Sequence, residues 1–326
     1  MDKFKKILKK LKENTYQFTM ILVTVAIIFL VVVVIGNAYK RFKNSKISEN
    51  LRTSSSENAA TSESSDSSDT SDNSSVITRT LETFMDAEGS KHEFYLDNEA
   101  TMVESDKSKF ELKDGYMTYN DDGYETKIGI DVSFYQNEID WEQVKEAGID
   151  FAFIRVGYRG YSEGKLMIDD TFEQNYAGAK EAGIEVGLYI FSQAINEDEA
   201  REEAKFCVDA LDGRELDYPI IFDPESILHD EARTDDVTKE QFTANTLAFC
   251  DEIEKNGYES GLYANLMWQA YMLNMAELKD VTMWFADYSS KPQTPYAFKY
   301  WQYSCTANVP GVPTECDINI ELIPNE

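Results

Sequence analysis

The spacing of apolar and polar positions becomes regular from residue 128 onward. Apolar runs with the length and composition of β-strands cover residues 128–133, 151–158, 185–192, 218–223, 260–265, 283–288, 298–304 and 316–322. Amphipathic segments with helical spacing lie between them over residues 140–147, 171–182, 197–211 and 238–256, with a weaker one over 266–277. Helices therefore separate the earlier strands, whereas the last three strands follow one another directly.

This order of elements predicts an α/β fold related to the TIM barrel. The run over 151–158 is almost continuously apolar, as expected for a parallel strand that is buried on both faces. Eight such strands can close a barrel. An open doubly wound sheet is the alternative, but no Gly-x-Gly-x-x-Gly motif follows the first strand, so a dinucleotide-binding fold gains no support.

The N-terminal part of the chain has a different pattern. An apolar run from Phe18 to Ile35, about 27 Å long as a helix, predicts a transmembrane helix over residues 18–36. Lysines crowd residues 1–17, which favours a cytoplasmic basic tail and an extracellular barrel. The alternative is a signal peptide cleaved after Ala38, which would give a secreted protein, although the apolar run is long for a signal peptide.

Two further segments precede the barrel. Residues 37–76 are dominated by Ser, Asp, Glu, Thr and Asn, and this composition predicts a disordered linker because it offers little apolar surface for burial. Residues 77–127 contain short strand-like runs at 94–96, 110–112 and 115–119 and a turn at 121–123. They predict a small β-rich stem, which leaves residues 128–326 for the barrel.

Charge and cysteine content limit the classes of function. The net charge is −29, and residues 51–326 carry 57 acidic against 21 basic side chains, which argues against nucleic-acid binding. The chain has two histidines and no metal-ligand spacing among its cysteines, which argues against a zinc site. The disulfides Cys305–Cys316 and Cys207–Cys250 are as compatible with the sequence as four free thiols.

Acidic residues stand at the ends of several predicted strands. One apolar run ends in Asp223 and Glu225, which project to the same side because they are two residues apart in an extended segment. Asp131 ends the first strand and Asp287 the sixth, whereas Asp317 lies nearer the start of the eighth. The C-terminal ends of barrel strands share one face, so we expect Asp131, Asp223, Glu225 and Asp287 to converge there. Acid/base cleavage of a glycosidic bond needs two such carboxylates, although a solvated strand end is the common alternative.

Aromatic residues cluster near the same strand ends. Their rings suit stacking on a sugar, while others fill the barrel or its rim. We expect about half of them to be structural and predict four to bind substrate: Tyr189, Tyr263, Tyr288 and Trp301.

Several ordered motifs carry a family resemblance. They are Ile128–Gln136 with Ile139–Trp141, Phe222–Glu225, Met283–Tyr288 with Trp301–Ser304, and Val309–Val312 with Cys316–Asn319. Together they resemble the glycoside hydrolase family 25 lysozymes over about residues 127–323. The resemblance implies an irregular (β/α)5(β)3 barrel, N-acetylmuramidase activity, and no metal or organic cofactor.

The resemblance also implies roles for the acidic residues. Glu225 would be the general acid/base, Asp223 would orient or stabilise the reacting sugar, and Asp131 and Asp287 would complete the acidic cluster. One position departs from the family pattern, because Pro224 stands where an apolar or aromatic residue is usual. A proline at a strand end removes one ladder donor and could rotate Glu225.

Two functions fit these features. The first is a membrane-tethered peptidoglycan hydrolase that cuts the β-1,4 bond between N-acetylmuramic acid and N-acetylglucosamine. The second is a catalytically weak barrel that binds wall glycan and serves as a scaffold for cell-envelope protein partners. The presence of all four acids favours the enzyme.

Overall fold

The computed structural model describes residues 80–87, 89–228 and 230–325, and all of these except 228 and 230 belong to one compact unit. Three predicted segments lie outside the described residues: the tail over 1–17, the transmembrane helix over 18–36 and the linker over 37–76. Within the described ranges, no helix combines the length and the apolar character needed to cross a membrane.

The elements are numbered in chain order. The strands are β1 (Leu81–Met85), β2 (Lys91–Tyr95), β3 (Phe110–Lys113), β4 (Tyr116–Tyr119), β5 (Tyr124–Val132), β6 (Phe151–Arg159), β7 (Leu166–Ile168), β8 (Glu185–Ser192), β9 (Ile220–Pro224), β10 (Ser260–Asn265), β11 (Thr282–Ala286), β12 (Tyr300–Ala307) and β13 (Cys316–Pro324). The α-helices are α1 (Trp141–Glu146), α2 (Phe172–Glu181), α3 (Glu197–Leu211) and α4 (Lys239–Lys255). Short 3-10 turns cover Lys107–Lys109 and Phe134–Gln136, and a π-helical turn covers Trp268–Met272.

Eight of these strands close a barrel, as predicted. The strands β5, β6, β8, β9, β10, β11 and β12 are parallel neighbours, and β13 closes the ring by pairing antiparallel with both β12 and β5. The four helices connect the first five barrel strands, and the π-helical turn lies within the weak helical segment before β11. The short strand β7 pairs with β6 outside the ring and was not predicted.

Helix boundaries follow from local chemistry. The Thr238 side chain accepts a hydrogen bond from the Gln241 N–H at 3.3 Å at the start of α4, and Asp140 caps α1 in the same way. These side chains satisfy N–H groups that have no partner within the helix. Gly257 follows α4 with a φ of 87°, a conformation that glycine adopts without steric cost. The chain therefore turns sharply from α4 into β10.

The barrel interior is filled by large side chains. They form a cluster separate from the layer between strands and helices: Phe151, Phe153, Tyr218, Ile221, Tyr263, Trp284, Ala286 and Tyr300. Phe153 stacks on Trp284 with ring centroids 4.6 Å apart. A Cβ on Gly129 would lie 2.3 Å from the Phe151 ring, so only glycine allows this close packing. Because side chains alternate along a strand, the inward row of Phe151 and Phe153 continues to Arg155 in the middle of β6.

The stem, residues 80–119 of the described chain, consists of two antiparallel hairpins, β1–β2 and β3–β4. Its core is continuous with that of the barrel. Phe110 packs edge-on against Trp301 at 4.9 Å, and the Met117 N–H donates to Tyr303 Oη at 3.1 Å. The Gln293 side chain bonds both backbone groups of Met85 at 3.0 Å. The stem therefore covers the outer face of β12 and the segment after β11.

All four cysteines are free, which matches the second of the two alternatives. Cys207, Cys250 and Cys316 are buried, and Cys305 is exposed. The fold is therefore held by packing and hydrogen bonds within the described residues.

Candidate active site

Three of the four predicted acids meet at the C-terminal end of the barrel. Asp131 ends β5, Asp223 lies near the end of β9, and Glu225 follows β9 by one residue. All three line one cavity of about 570 Å³, which we call the acidic cleft. The strand ends therefore predicted the convergence of these three carboxyl groups, which the structure places around one cavity.

The fourth carboxyl group of the cleft belongs to Asp317, which was not assigned from the sequence. Because β13 runs antiparallel to its neighbours, its first residues lie at the end of the barrel where the parallel strands finish. Asp317 pairs in register with Asp131. The sequence does not show that the last strand is antiparallel. Because β13 is antiparallel, its first residues lie at the end of the barrel where the other strands finish.

The structure does not bring the Asp287 carboxylate to the cleft. This carboxylate accepts hydrogen bonds from the backbone N–H of Ser289 at 3.0 Å and of Gln293 at 2.8 Å. Its side chain is thus turned into the loop after β11. The prediction that Asp287 converges with the other acids is therefore wrong. Asp287 instead holds the loop after β11, which carries Tyr288 and contacts the stem through Gln293.

Asp131 is held by amide side chains from the last two strands. Gln302 Nε2 and Asn319 Nδ2 both donate to Asp131 Oδ2 at 2.9 Å. Trp284 Nε1 donates to Asn319 Oδ1 at 2.8 Å, and the hydroxyl of Tyr263 donates to Gln302 Oε1 at 3.0 Å. These bonds fix Asp131 in a single orientation at the base of the cleft.

Burial and like charges act on the two inner carboxyl groups. Burial and then the charge of Asp317 raise the pKa of Asp131, while the two amide donors oppose the rise. Burial and then the charges of Glu225 and Asp131 raise the pKa of Asp223, while Arg155 opposes the rise. Both groups therefore have a partner that favours the ionised form.

The influences named for Glu225 act in one direction. Burial, followed by the charge of Asp317, raises the pKa of Glu225 to about 7. Burial raises the pKa of Asp317 to about 6, while a backbone hydrogen bond opposes the rise. Of the four acids, Glu225 is thus the one whose surroundings favour the protonated form without opposition, as a proton donor near neutral pH requires.

Arg155 is the one Lys or Arg among the described residues that line the cleft. Its Nε donates to Asp169 Oδ2 at 2.8 Å, and its guanidinium lies over the rings of Phe134 and Tyr135 at 4.9 and 5.4 Å. The sequence does not distinguish Arg155 as a site residue, because an isolated Arg in an apolar strand has no characteristic spacing. Its inward position follows from the alternation along β6.

Three of the four predicted substrate-binding aromatics line the cleft: Tyr189, Tyr263 and Tyr288. Tyr288 is 47% exposed and Tyr263 is 8% exposed. Trp301 is fully buried beneath the stem, and its Nε1 donates to the Asp287 carbonyl oxygen at 2.8 Å. No face of Trp301 is available for a sugar, so the prediction that it binds substrate is wrong. Trp301 packs between the barrel and the stem. Within the described ranges, no group of three or more His, Cys, Asp or Glu residues is arranged to hold a metal ion.

The family model of glycosyl hydrolases family 25 matches residues 130–312, more than half of the chain. The chain therefore belongs to this family, and its closed barrel of eight strands has the fold of that family. The match covers Asp131, Asp223 and Glu225, whereas Asp317 on β13 follows it by five residues.

Three relatives illustrate the similarity. The autolytic lysozyme of Clostridium acetobutylicum is 28% identical over 192 residues, which span 59% of this chain and 54% of the relative. The chain thus matches about half the length of this curated relative. A bacterial lysozyme from Streptomyces coelicolor is 27% identical, with a TM-score of 0.50 over 59% of this chain and 90% of that chain. The modular autolysin LytC from Streptococcus pneumoniae, at 22% identity, shares the fold with a TM-score of 0.54 over 75% of this chain and 57% of that chain.

Proposed function

We propose that this protein is a membrane-tethered peptidoglycan hydrolase that cleaves the β-1,4 bond between N-acetylmuramic acid and N-acetylglucosamine. The observation that carries the proposal is the meeting of Asp131, Asp223, Glu225 and Asp317 at one cleft. Membership of glycosyl hydrolases family 25 and similarity to an autolytic lysozyme support the same reaction.

Glu225 begins the reaction as the general acid. With a pKa of about 7 it retains a proton near neutral pH and donates it to the glycosidic oxygen as the bond to the sugar C1 breaks. It then accepts a proton from the water that completes hydrolysis. The proton lost in the first half is thereby recovered in the second.

Asp223 acts on the sugar that loses its leaving group. Burial and the charges of Glu225 and Asp131 raise the pKa of this carboxyl group, and Arg155 opposes the rise. In its ionised form, Asp223 stabilises positive charge at C1. One Asp223 oxygen is buried without a hydrogen-bond partner among the described residues. The N–H of the substrate acetamido group is a suitable donor for this Asp223 oxygen. The carbonyl oxygen of the same acetamido group would then attack C1 as the glycosidic bond breaks.

The N-terminal segments supply the location. The apolar run over 18–36 would anchor the chain, with residues 1–17 inside the cell and the barrel outside. A flexible linker over 37–76 would span about 35 Å on average, which gives the barrel reach into a cell wall. Cleavage after Ala38 would release a secreted form.

The test is the release of reducing ends from purified peptidoglycan, together with clearing of a wall suspension. Active wild-type protein and inactive Glu225→Gln of normal thermal stability are the expected results. Wall binding without release of reducing ends by the wild type would favour the scaffold function instead. Pro224, within the Asp-x-Glu motif, is the feature that makes this second outcome worth testing.

A further inference from the structure

The backbone at Glu225 lies just beyond the last regular pair of the barrel sheet. The ladder between β8 and β9 ends at Ser192 and Pro224, and β9 itself ends at Pro224. Pro224 has no N–H to donate to a neighbouring strand. The sheet therefore does not determine the direction of the residue that follows it, although that residue carries the general acid.

The Gln193 side chain makes the next contact beyond the end of the β8–β9 ladder. Gln193 follows Ser192, is 1% exposed, and its Nε2 donates to the Glu225 backbone oxygen at 2.7 Å. A carbonyl oxygen only accepts hydrogen bonds, which identifies the amide nitrogen as the atom facing it. Gln193 thus extends the β8–β9 pairing by one residue through its amide group.

Gln193 is itself held from two directions. Its Oε1 accepts from Thr234 Oγ1 at 2.8 Å, and its backbone oxygen accepts from Arg233 Nη1 at 3.1 Å. Arg233 also makes a two-point contact with the Glu199 carboxylate of α3, at 2.6 and 2.7 Å. The amide that holds Glu225 is therefore connected to a helix and to the segment before α4.

We propose that Gln193 is a positioning residue that fixes the backbone at Glu225 and so directs its carboxyl group at the scissile oxygen. The inference rests on the proposed glycoside hydrolysis and adds a group that holds the Glu225 carbonyl oxygen one residue beyond the end of the β8–β9 ladder. Without the amide, the Glu225 carbonyl is free to turn toward water, and a displacement of about 1 Å at a catalytic group can cost on the order of 100-fold in rate.

Gln193→Met tests this directly, because it keeps the length of the side chain and removes the donor. We expect kcat to fall at least about tenfold while KM stays within about threefold, since the substrate contacts of the cleft remain. The alkaline limb of the pH–rate profile should move to lower pH, because a displaced Glu225 loses burial and the effect of Asp317.

Asn245→Leu is the matched control. Asn245 is fully buried, and its Nδ2 donates to the Ala194 backbone oxygen at 3.0 Å, one residue beyond Gln193. Both variants lose a buried amide bond to the same region, so comparable decreases in Tm are expected. Only Gln193→Met should change kcat and the pH limb. Equal losses of kcat in both variants would overturn the positioning role.

Thr234→Val provides a milder variant should Gln193→Met fail to fold. It removes the hydroxyl that holds the Gln193 amide, so a two- to fivefold fall in kcat with the same direction of pH shift is expected. An unchanged kcat and pH limb in Gln193→Met, or in Thr234→Val where that is the variant that folds, would overturn the inference alone. A wild-type protein that releases no reducing ends would overturn the proposed function and this inference with it.

Discussion

The barrel has a cavity at each end, and the two differ in how their charges are paired. The basal cavity, lined among others by Lys127, Tyr218, Lys299, Tyr300 and Glu321, has a volume of about 630 Å³. The acidic cleft is slightly smaller, at about 570 Å³. Volume alone therefore does not identify the acidic cleft as the candidate site.

Charge pairing separates the two ends. In the basal cavity, Lys127 forms an ion pair with Glu185, and Lys299 lies 3.5 Å from Glu321. In the cleft, four carboxyl groups face a single Arg155 that already bonds Asp169. A cluster of like charges that outnumbers its cations destabilises a fold, so its presence indicates use in function. Paired charges at the other end indicate a structural contribution.

Exchanging one carboxyl group at each end gives the largest expected contrast. Glu225→Gln should lower the rate of reducing-end release on the order of 10³-fold, because it removes the proton donor, and should leave Tm at or above the wild-type value. Glu321→Gln should keep the activity and cost about 1–3 kcal/mol in the free energy of unfolding, because it weakens the bonds to Tyr218 and Lys299. Activity loss in Glu321→Gln alone would reverse the assignment of the two ends.

Four acids in or near the cleft sharpen the comparison. Asp317→Asn should reduce turnover at least about tenfold, as should Asp131→Asn and Asp223→Asn, because each changes the charge around the reacting sugar. Asp287→Asn should lower Tm and change turnover by less than about threefold. Its carboxylate accepts hydrogen bonds from loop N–H groups and does not face the cleft. Steady-state rates and thermal melts of the four variants distinguish the roles. A larger rate loss in Asp287→Asn than in Asp317→Asn would contradict the geometry.

The pH dependence of rate tests the proton donor. With a pKa of about 7 for Glu225, activity should fall about tenfold per pH unit above pH 7, because the ionised form has no proton to donate. A rate that stays constant from pH 7 to 9 would exclude Glu225 as the acid.

The pH dependence of stability tests the same group. Between its ordinary pKa of 4.5 and about 7, Glu225 holds a proton in the folded chain that the unfolded chain has released. Folding stability from this group is therefore present at low pH and lost as pH rises through this window, by at most about 3 kcal/mol. Glu225→Gln should show a smaller decrease in Tm between pH 5 and 8 than the wild type. Identical Tm profiles would contradict the raised pKa.

Aromatic residues at the two ends give the smallest contrast. Tyr288→Ala should raise KM about three- to tenfold, because it removes an exposed ring from the cleft. Tyr300→Phe in the basal cavity should leave KM unchanged and alter the free energy of unfolding by less than about 1 kcal/mol, since its buried hydroxyl has no partner among the described residues. A KM increase for Tyr300→Phe would indicate that substrate reaches the basal cavity.

The sequence predicted most of the fold because nearly every barrel strand is buried on both faces. Such strands appear as unbroken apolar runs, and their bounds agree with the structure to within a few residues. The strand β7 escaped prediction because it has three residues, of which Met167 and Ile168 are exposed. The burial of stem residues such as Phe110 is not visible in the surrounding sequence, because their packing partners belong to the barrel.

The site was predicted less completely than the fold. A strand end gives the position of a residue along the barrel axis but not the direction of its side chain. Asp287 and Trp301 were therefore placed in the site although loop bonds and the stem hold them elsewhere. Asp317 was left out because strand direction is not visible in an apolar run. Gln193 contacts the backbone oxygen of Glu225, and a side-chain contact with a backbone atom leaves no pattern in the sequence.

The antiparallel strand β13 has a consequence for the order in which the acidic cleft is assembled. It is the last barrel strand to leave the ribosome, and it brings both the ring-closing hydrogen bonds and Asp317. A growing polypeptide that ends before residue 316 therefore has neither a sealed sheet nor a full set of acids. The acidic cleft is therefore complete only once β13 has joined the sheet, so barrel closure and assembly of the four carboxyl groups occur together in folding.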